Sequence, residues 1–437
     1  MFYDKLYQSK LVTAEQAVER INNNSTLVVA MGAGAPPALL SAIAQRVLHN
    51  DLQNLSVYYK IATRHLADTL LTEKVLEKIR AHSFFVAGID HNIIKEQQQT
   101  GKKLLSFVPC NFSQIPRVLR EIIKVNTFII TVSPMDSGGY FSMGTNNDYA
   151  STAVRQCDQL LLEVNPNMPR VFGQSQIHVS QAAAIVENTA PLIEFPSASP
   201  SEKDIKIGKL VAPLVPDGAT IQLGIGKVPE GIARALEGHK NLGIHTELFS
   251  NAMTQLIHKG VINGNNKFMN PQKHVFTVAL GDKNTYEYMN NNSAMESYSS
   301  EYVNGINTIA LQNNFVSINT AISVDLYGQV NAEFIEGHEY SGSGGQFDFV
   351  KGAALAKNGI SVIALHSSAK NGAVSTIVPK VEMVTDVRMD VEYIVTENGI
   401  VNLRGKSTKE RALALIEIAD PKFQEELIQA AQKLTLI

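Results

Sequence analysis

Two glycines and a glutamate stand at spacings that suit acyl-group or phosphate chemistry. Gly224 and Gly226 lie in a Gly-Ile-Gly-Lys-Val-Pro run between a short apolar stretch and a helix-like segment. Glycines permit a tight turn whose backbone N–H groups point at a ligand, and the start of a helix favours an anion. Pro229 suits the first helical position, where no N–H is needed. The run therefore predicts an anion or oxyanion site, or else a plain strand-to-helix turn.

Glu247 follows the strand-like residues 242–245 and precedes the helix-like residues 249–258. The carboxyl ends of strands carry the sites of α/β sheets, whereas an isolated glutamate is most often a solvated surface charge. Its place about 20 residues after the glycine run is that of the ribose-binding acid in dinucleotide folds, although Pro229 replaces the third glycine of that motif. Alternatively, Glu247 is a carboxylate nucleophile that forms a covalent acyl intermediate.

The glycine run has a counterpart in the first half of the chain, at residues 32–37. Further matches follow in the same order, including residues 54–60 with residues 241–247. Ordered self-similarity of this kind indicates two related halves. Lys60 stands where the second half has Glu247, so the halves share a scaffold and differ in charge at this point. We expect the second turn to be functional and the first to be structural.

Other polar runs have a functional and a structural interpretation. Three glycines in residues 342–345 precede a helix-like segment and permit a close backbone approach, although a bland loop is equally consistent with them. The Asn-Pro turn at residues 165–169 is better explained as a loop. His178 and His245 stand among apolar residues, and for both we favour a hydrogen-bonded core position.

Composition excludes several classes of protein. The 437 residues are 44% hydrophobic and 18% charged, which is ordinary for a globular chain of two or three domains. The net charge of −3 offers no basic field, so we expect no nucleic-acid partner. Two cysteines are too few for a disulfide framework or zinc cluster, and no metal is expected. No apolar run reaches the length of a membrane span, and the charged N-terminus is unlike a signal peptide, which together indicate a cytoplasmic protein without a membrane partner.

The elements that must position these residues alternate between strand-like and helix-like segments, which predicts an α/β fold. Apolar runs without alternation indicate strands covered on both faces of a largely parallel sheet. The predicted strands are residues 27–31, 57–61, 83–87, 127–133, 159–164, 220–223, 242–245, 274–279, 315–319 and 361–365. A Pro-, Ser- and Ala-rich stretch at residues 191–200 marks a boundary, which gives an N-terminal domain at 1–192 and a C-terminal domain at 193–437 that carries the glutamate.

Taken together, the motifs resemble the acetyl-CoA hydrolase/transferase family of class I CoA-transferases, most closely its 4-hydroxybutyrate and butyrate CoA-transferase branch. The likeness spans nearly the whole chain and rests on residues 133–136, 139–142, 163–169, 224–229, 245–247, 317–321, 344–349 and 402–407. It implies two tandem related α/β domains of the CoA-transferase (NagB/RpiA-like) fold, assembled as a homodimer. It also implies coenzyme A, bound as acyl-CoA, and short-chain carboxylic acids as the substrates.

The resemblance implies roles for individual residues. Glu247 is the catalytic glutamate, and Asn304 corresponds to an active-site carboxamide. The residues implied to contact CoA are Gly224, Ile225, Gly226, Lys227, Val228, Gly345 and Lys370, and the Ile225 N–H and Gly345 would help to form an oxyanion hole. Three residues depart from those frequent in the family, namely Asn251, Gln174 and Thr376, and these departures bear on carboxylate recognition more than on the chemistry.

The implied reaction is a ping-pong transfer of CoA between a short-chain acyl-CoA and a free carboxylate, through a glutamyl-CoA thioester on Glu247. The carboxylates are acetate with 4-hydroxybutyrate or butyrate, and no residue selects among them, because a pocket discriminates one methylene by only about 1–3 kcal/mol. An acyl-CoA hydrolase with Glu247 as general base is the first alternative. An NAD-dependent oxidoreductase and a ligand-binding regulator without catalysis are the others.

Overall fold

The computed structural model describes residues 2–437. These residues form two compact units, one of residues 2–195 with 276–302 and the other of residues 196–275 with 303–437. Two elements contain the residues at which these ranges meet, the strand His274–Leu280 and the helix Ser300–Val303. None of the helices in the described part of the chain has the length and apolar character needed to cross a membrane.

The first unit is built, within its described residues, on a seven-stranded sheet whose neighbouring strands are parallel. In sheet order the strands are Ala184–Glu187, Gln159–Val164, Thr127–Val132, Thr26–Val29, Ser56–Tyr59, Arg80–Ser83 and Leu105–Phe107. Every side chain of the interior strand Thr127–Val132 is buried, which is the pattern of a parallel sheet covered on both faces.

Helices and short strand pairs complete the first unit. Its helices are Phe2–Lys10, Ala14–Val18, Pro37–Leu48, Arg64–Ala67, Glu73–Leu76, Ile89–Thr100, Ile115–Glu121, Ala150–Gln156 and Lys283–Met289. Tyr140–Ser142 pairs with Gln176–His178, and Phe172–Gly173 pairs with Met295–Ser297. The main apolar core joins the sheet to the helix Pro37–Leu48 through fully buried residues such as Leu27 and Leu40.

The second unit also has a sheet, in the strand order Gly399–Asn402, Tyr393–Thr396, Ile360–Ala364, Phe315–Thr320, Thr220–Leu223 and Gly243–Ser250. The first two strands are antiparallel and the remaining neighbours are parallel. Shorter strands form separate pairs and ribbons: Ser323–Asp325, Val330–Asn331, Phe334–Ile335, His338–Glu339, Ser368–Ala369, Val374–Ser375 and Ile377–Val378.

The helices of the second unit are Glu202–Val211, Lys227–Ala235, Asn251–His258, Ile306–Ala310, Gln346–Leu355, Thr408–Glu417 and Gln424–Lys433. Two of them begin at a capping box, in which Ser201 and Ser407 exchange hydrogen bonds with an acidic residue three positions on. A core of buried residues that includes Ile363, Ile394 and Leu415 joins the sheet to the last two helices.

The α/β fold class with largely parallel sheets is confirmed, and the predicted strands 159–164 and 220–223 are found with the same bounds. The predicted strand 83–87 is wrong, because the strand is Arg80–Ser83 and the apolar residues after it form a turn before the helix Ile89–Thr100. Pro229 is the third residue of its helix rather than the first. It still lies in the first turn, where N–H groups have no partner within the helix.

Candidate active site

Glu247 lies within the strand Gly243–Ser250 rather than after it, and it is the one partly exposed residue of that strand. The seven other residues are buried, so the strand is fixed by its packing while this carboxylate remains accessible. The neighbouring parallel strand Thr220–Leu223 pairs with it from Thr220 opposite Gly243. By this register the glycine run begins level with Glu247, at the edge of the sheet where α/β proteins place their sites.

Asn304 brings a side-chain amide to the glutamate. Its Nδ2 donates a hydrogen bond of 2.8 Å to Glu247 Oε2, and Asn304 itself has no exposed surface. Its Oδ1 is buried and has no hydrogen-bond partner among residues 2–437. Because a carboxylate only accepts hydrogen bonds, the amide nitrogen must face it. Asn304 therefore orients the carboxylate of Glu247.

Gly345 lies directly against this pair. A Cβ atom at Gly345 would overlap both Glu247 Oε2 and Asn304 Nδ2, so only glycine leaves room for the carboxylate. Gly345 is also the N-cap of the helix Gln346–Leu355, and no side chain caps that helix. The uncapped N-terminus is the positive end of the helix dipole and favours negative charge beside it. The arrangement therefore suits a carboxylate and the oxyanions that form on it.

His245 anchors the segment that carries Asn304. Its Nε2 lies 2.8 Å from the carbonyl oxygen of Val303, and Gln312 Nε2 donates to its Nδ1 at 3.3 Å. A carbonyl can only accept, so Nε2 carries the proton and the ring is neutral. Burial, and next the nearby Lys267 ammonium, lower the pKa of His245 to about 3, while the Val303 hydrogen bond raises it in part. His245 is thus a hydrogen-bonded core histidine, as the sequence suggested.

The glycine run is open where a ligand would approach. Gly226 has φ of +113° and would have no atom within 4 Å of an added Cβ, and a Cβ at Gly224 would come no closer than 3.7 Å to Pro229. Ile225 is 51% exposed. Lys227 is exposed and begins the helix Lys227–Ala235, whose N-cap Gly226 provides no side-chain cap. Val228 follows it, partly exposed, in the first turn. The free N–H groups of this turn can therefore bind an anion.

The corresponding turn in the first half is filled by protein. A Cβ at Gly34 would overlap the side chain of Asn146, and one at Gly32 would lie 2.8 Å from Leu280 Cδ2. Lys60, the counterpart of Glu247, is buried with its Nζ 2.9 Å from the centre of the Phe112 ring. The two copies thus differ in that the turn at 224–226 is open and the turn at 32–34 is packed.

Lys370 and the three residues that differ from those frequent in the family each have their own hydrogen-bond or packing environment. Lys370 has φ of +49°, and its exposed ammonium pairs with Glu336 at 2.6 Å. Asn251 is a buried residue at the start of the helix Asn251–His258. Gln174 bonds through its backbone N–H to Ser297 in the first unit, and the Thr376 hydroxyl donates to His366 O at 2.6 Å.

Three buried polar residues that lie on, or are hydrogen-bonded to, the elements carrying the site were missed from the sequence. Gln222 lies at a buried position of the strand Thr220–Leu223, and its Oε1 accepts hydrogen bonds from Ser317 and Asn319 on the neighbouring strand. The available signal was a single polar residue in an apolar run. Gln312, which orients His245, and Asp386, which accepts a hydrogen bond from Gln346 at 2.6 Å, had no local signal.

Within residues 2–437, no group of three or more histidine, cysteine, aspartate or glutamate side chains is arranged to hold a metal ion. The two cysteines, Cys110 and Cys157, form no disulfide bond. The groups that the structure places at the site are a carboxylate, an amide, an uncapped helix N-terminus and an open glycine turn. These groups suit covalent acyl chemistry with stabilised oxyanions.

Comparison with known proteins shows where similar chains occur. The family models described as acetyl-CoA hydrolase/transferase N-terminal and C-terminal domains match residues 1–195 and 281–431. A 4-hydroxybutyrate coenzyme A transferase of Clostridium kluyveri is 39% identical over 99% of this chain and 100% of its own length. The crystal structure of RipA from Yersinia pestis is 44% identical with a TM-score of 0.97, and covers 100% of both chains. A 4-hydroxybutyrate CoA-transferase structure from Porphyromonas gingivalis is 31% identical with a TM-score of 0.83, over 99% of this chain and 100% of that one.

Proposed function

The chain belongs to the acetyl-CoA hydrolase/transferase family, and we propose that it transfers coenzyme A between a short-chain acyl-CoA and a free carboxylate. The observation that carries the proposal is the setting of Glu247. Its carboxylate is accessible, is hydrogen-bonded by Asn304 at 2.8 Å, and lies against Gly345 at a helix N-terminus. A general base does not need donors that stabilise an oxyanion on its own carboxyl carbon. A nucleophile that becomes an anhydride and then a thioester does need such donors.

The first half-reaction loads CoA onto the enzyme. The Glu247 carboxylate attacks the thioester carbonyl of acyl-CoA, and the C–S bond breaks to give an acyl-glutamyl anhydride and the CoA thiolate. The thiolate then attacks the Glu247 carbonyl carbon and expels the first acid as a carboxylate. A glutamyl-CoA thioester remains, so no proton needs to be gained or lost in this sequence.

The second half-reaction runs the same steps in reverse. The incoming carboxylate attacks the glutamyl thioester and releases the thiolate, and the thiolate attacks the acyl carbonyl of the new anhydride. The new acyl-CoA leaves and the Glu247 carboxylate is restored. Because anhydride and thioester are both activated acyl forms, each step exchanges bonds of similar energy.

We assign the remaining groups by the charge that each step creates. Asn304 and the Gly345 turn would stabilise the oxyanion on Glu247, and the N–H of Ile225 in the glycine turn would do so for the acyl oxyanion. One such donor contributes about 2.7–4 kcal/mol. Gly224, Gly226, Lys227 and Val228 would contact CoA, which their open backbone supports.

Lys370 would bind a CoA phosphate after leaving Glu336, which its exposure supports. We propose that the acids are acetate with 4-hydroxybutyrate or butyrate, since the relative from Clostridium kluyveri is named for 4-hydroxybutyrate. A panel of short acids tested with acetyl-CoA would establish the preference. The order of kcat/KM across the panel is the quantity to compare.

We further propose a domain boundary between residues 192 and 193, which the N-terminal family model ending at residue 195 supports. We also propose a cytoplasmic homodimer. Cysteines that form no disulfide bond suit a reducing compartment. Light scattering of the purified protein and fractionation of its cells would test these two points, and expression of residues 193–437 alone would test the boundary.

The central test is covalent capture of CoA. Acyl-CoA without an acceptor acid should leave CoA on the wild-type protein, as seen by intact mass, and peptide mapping should place it on Glu247. Glu247→Gln keeps the shape of the side chain but cannot attack, so it should give no adduct. Hydrolysis of acyl-CoA without any adduct, together with full activity in Glu247→Asp, would instead establish the hydrolase.

A further inference from the structure

Asp386 is a buried acid that the reaction does not use directly. It has no exposed surface, and its Oδ2 accepts a hydrogen bond of 2.6 Å from Gln346 Nε2. Its backbone is fixed by two hydrogen bonds to Val330, one in each direction, at 3.1 and 3.2 Å. Its Oδ1 is buried and finds no hydrogen-bond partner in the described part of the chain. A buried carboxylate with an unfilled oxygen lowers stability, so stability does not explain its presence.

Gln346 connects this acid to the candidate active site. It directly follows Gly345 and is the first residue of the helix Gln346–Leu355. Its backbone N–H donates to Ser343 O at 3.1 Å, and the Phe349 N–H donates to Gly345 O at 3.0 Å. The turn and the first helical residues are therefore one hydrogen-bonded piece. Fixing the Gln346 side chain fixes Gly345, whose place leaves room for the glutamate carboxylate.

We propose that Asp386 is a positioning residue for Glu247, and that its ionised carboxylate holds Gln346 and thereby keeps the Gly345 turn against the Glu247–Asn304 pair. The inference rests on the proposed function, because it gives Asp386 a role through the nucleophile. A hydrogen bond to an ionised acceptor is shorter and about twice as strong as one between neutral groups. Protonation of Asp386 therefore weakens the contact that fixes the turn.

Burial, with a smaller effect of neighbouring charges, places the ionisation of Asp386 in the neutral range. Burial raises the pKa of Asp386 to about 7, the Gln346 hydrogen bond opposes that rise, and the carboxylates of Glu333 and Asp390 add to it. The nearby ammonium of Lys351 is paired with Asp390 at 2.9 Å. The hold on Gln346 thus changes with pH in the range in which such an enzyme would be assayed.

Asp386→Asn separates this role from a structural one. We expect kcat to fall roughly tenfold or more, as for a small displacement of a reacting group, with KM for acyl-CoA unchanged. In wild type, kcat should fall as pH falls through about 7, and this fall should be absent from the variant.

The stability of the variant gives a second test. Burial raises the pKa of Asp386 from 3.8 to about 7, so the folded state loses stability relative to the unfolded state as pH rises between those two values. Asp386→Asn should therefore melt at a higher temperature than wild type above pH 7, and this gain should shrink as pH falls toward 4.

Two further variants test the route through Gln346. Gln346→Met should lower kcat, and Asp386→Asn added to it should cause no further loss. Asp390→Asn is the matched control, since it removes a neighbouring charge without contacting Gln346. It should retain kcat and move the pH limb to lower pH, because that charge raises the pKa of Asp386.

The inference is overturned if Asp386→Asn keeps the wild-type kcat and the wild-type fall of kcat at low pH. It is also overturned if the fold-losses of kcat in Asp386→Asn and Gln346→Met multiply in the double variant. These outcomes are informative once wild type has captured CoA on Glu247. If wild type captures none, the proposed function fails first. If wild type captures CoA and the Asp386 variants behave as wild type, the proposed function stands and only the role of Asp386 is rejected.

Discussion

The Nδ2 of Asn304 lies 2.8 Å from Glu247 Oε2, while the Oδ1 of the same amide is buried without a partner in residues 2–437. Asn304 therefore donates one of its two amide hydrogens to the carboxylate. An oxyanion on the Glu247 carbonyl would receive the same hydrogen bond in a stronger, charge-assisted form. The pair has the geometry of a nucleophile with a built-in oxyanion donor.

Asn304→Ala should lower kcat by about 10²–10³, the usual effect of removing one oxyanion donor. Asn304→Asp should be more damaging still, because a second carboxylate disfavours the ionised form of Glu247. The rate at which CoA appears on the protein, followed by quenched intact mass, measures the loss directly. A rate of adduct formation in Asn304→Ala equal to that of wild type would remove Asn304 from the mechanism.

Gly345→Ala should abolish most activity while the protein stays folded. The backbone at Gly345 has φ of −99°, which alanine accepts, so the effect arises from overlap of the new Cβ with the Glu247 and Asn304 side chains. We expect a loss of about 10² or more in kcat/KM. Gly238→Ala is the matched control in the same unit, since no atom lies within 4 Å of its added Cβ. Equal activity in the two variants would contradict the geometry of the site.

The sequence predicted most of the fold, and its main error shows a limit of local patterns. Strands such as Gln159–Val164 are read correctly because their apolar runs are long and bounded by polar residues. The strand predicted at 83–87 is displaced from Arg80–Ser83. Phe84 and Val86 are fully buried in the turn that follows that strand, and burial in a turn cannot be told from burial in a strand by apolar character alone.

The individual site motifs were also visible in the sequence, but their contacts were not. Glu247, Asn304 and Gly345 belong to separate segments, and only the tertiary fold brings them together. Asp386 gave no signal at all. The role proposed for it depends on backbone pairing with Val330 and on a hydrogen bond from the Gln346 side chain. Both partners are distant in the sequence, and no local pattern encodes such long-range contacts.

The two glycines of the open turn should separate CoA binding from folding. Gly224→Ala places a Cβ at an ordinary 3.7 Å from Pro229, so its melting temperature should equal that of wild type. If CoA passes close to this backbone, its KM for acyl-CoA should rise about tenfold, as expected for the loss of about 1.4 kcal/mol. Gly226→Ala should be less stable as well, because φ of +113° is unfavourable for alanine. An unchanged KM in Gly224→Ala would show that CoA does not approach here.

Two buried histidines should make the protein acid-sensitive. Burial, followed by the charge of Lys267, lowers the pKa of His245 to about 3 and that of His274 to about 4. Below pH 6.5, the pKa of these histidines in the unfolded chain, both residues bind protons in the unfolded state but stay neutral in the folded state. The stability that the two neutral histidines contribute is therefore fully present above pH 6.5. It is lost as pH falls toward the folded-state pKa values of His245 and His274.

His274→Asn removes one of these groups and leaves the hydrogen bond of His245 to Val303 in place. The variant's melting temperature should consequently fall less steeply than that of wild type between pH 6.5 and 4. His338 lies exposed in the hairpin strand His338–Glu339, so His338→Asn should reproduce the wild-type slope. Parallel slopes for His274→Asn and wild type would mean that His274 binds its proton equally well in both states, which its burial argues against.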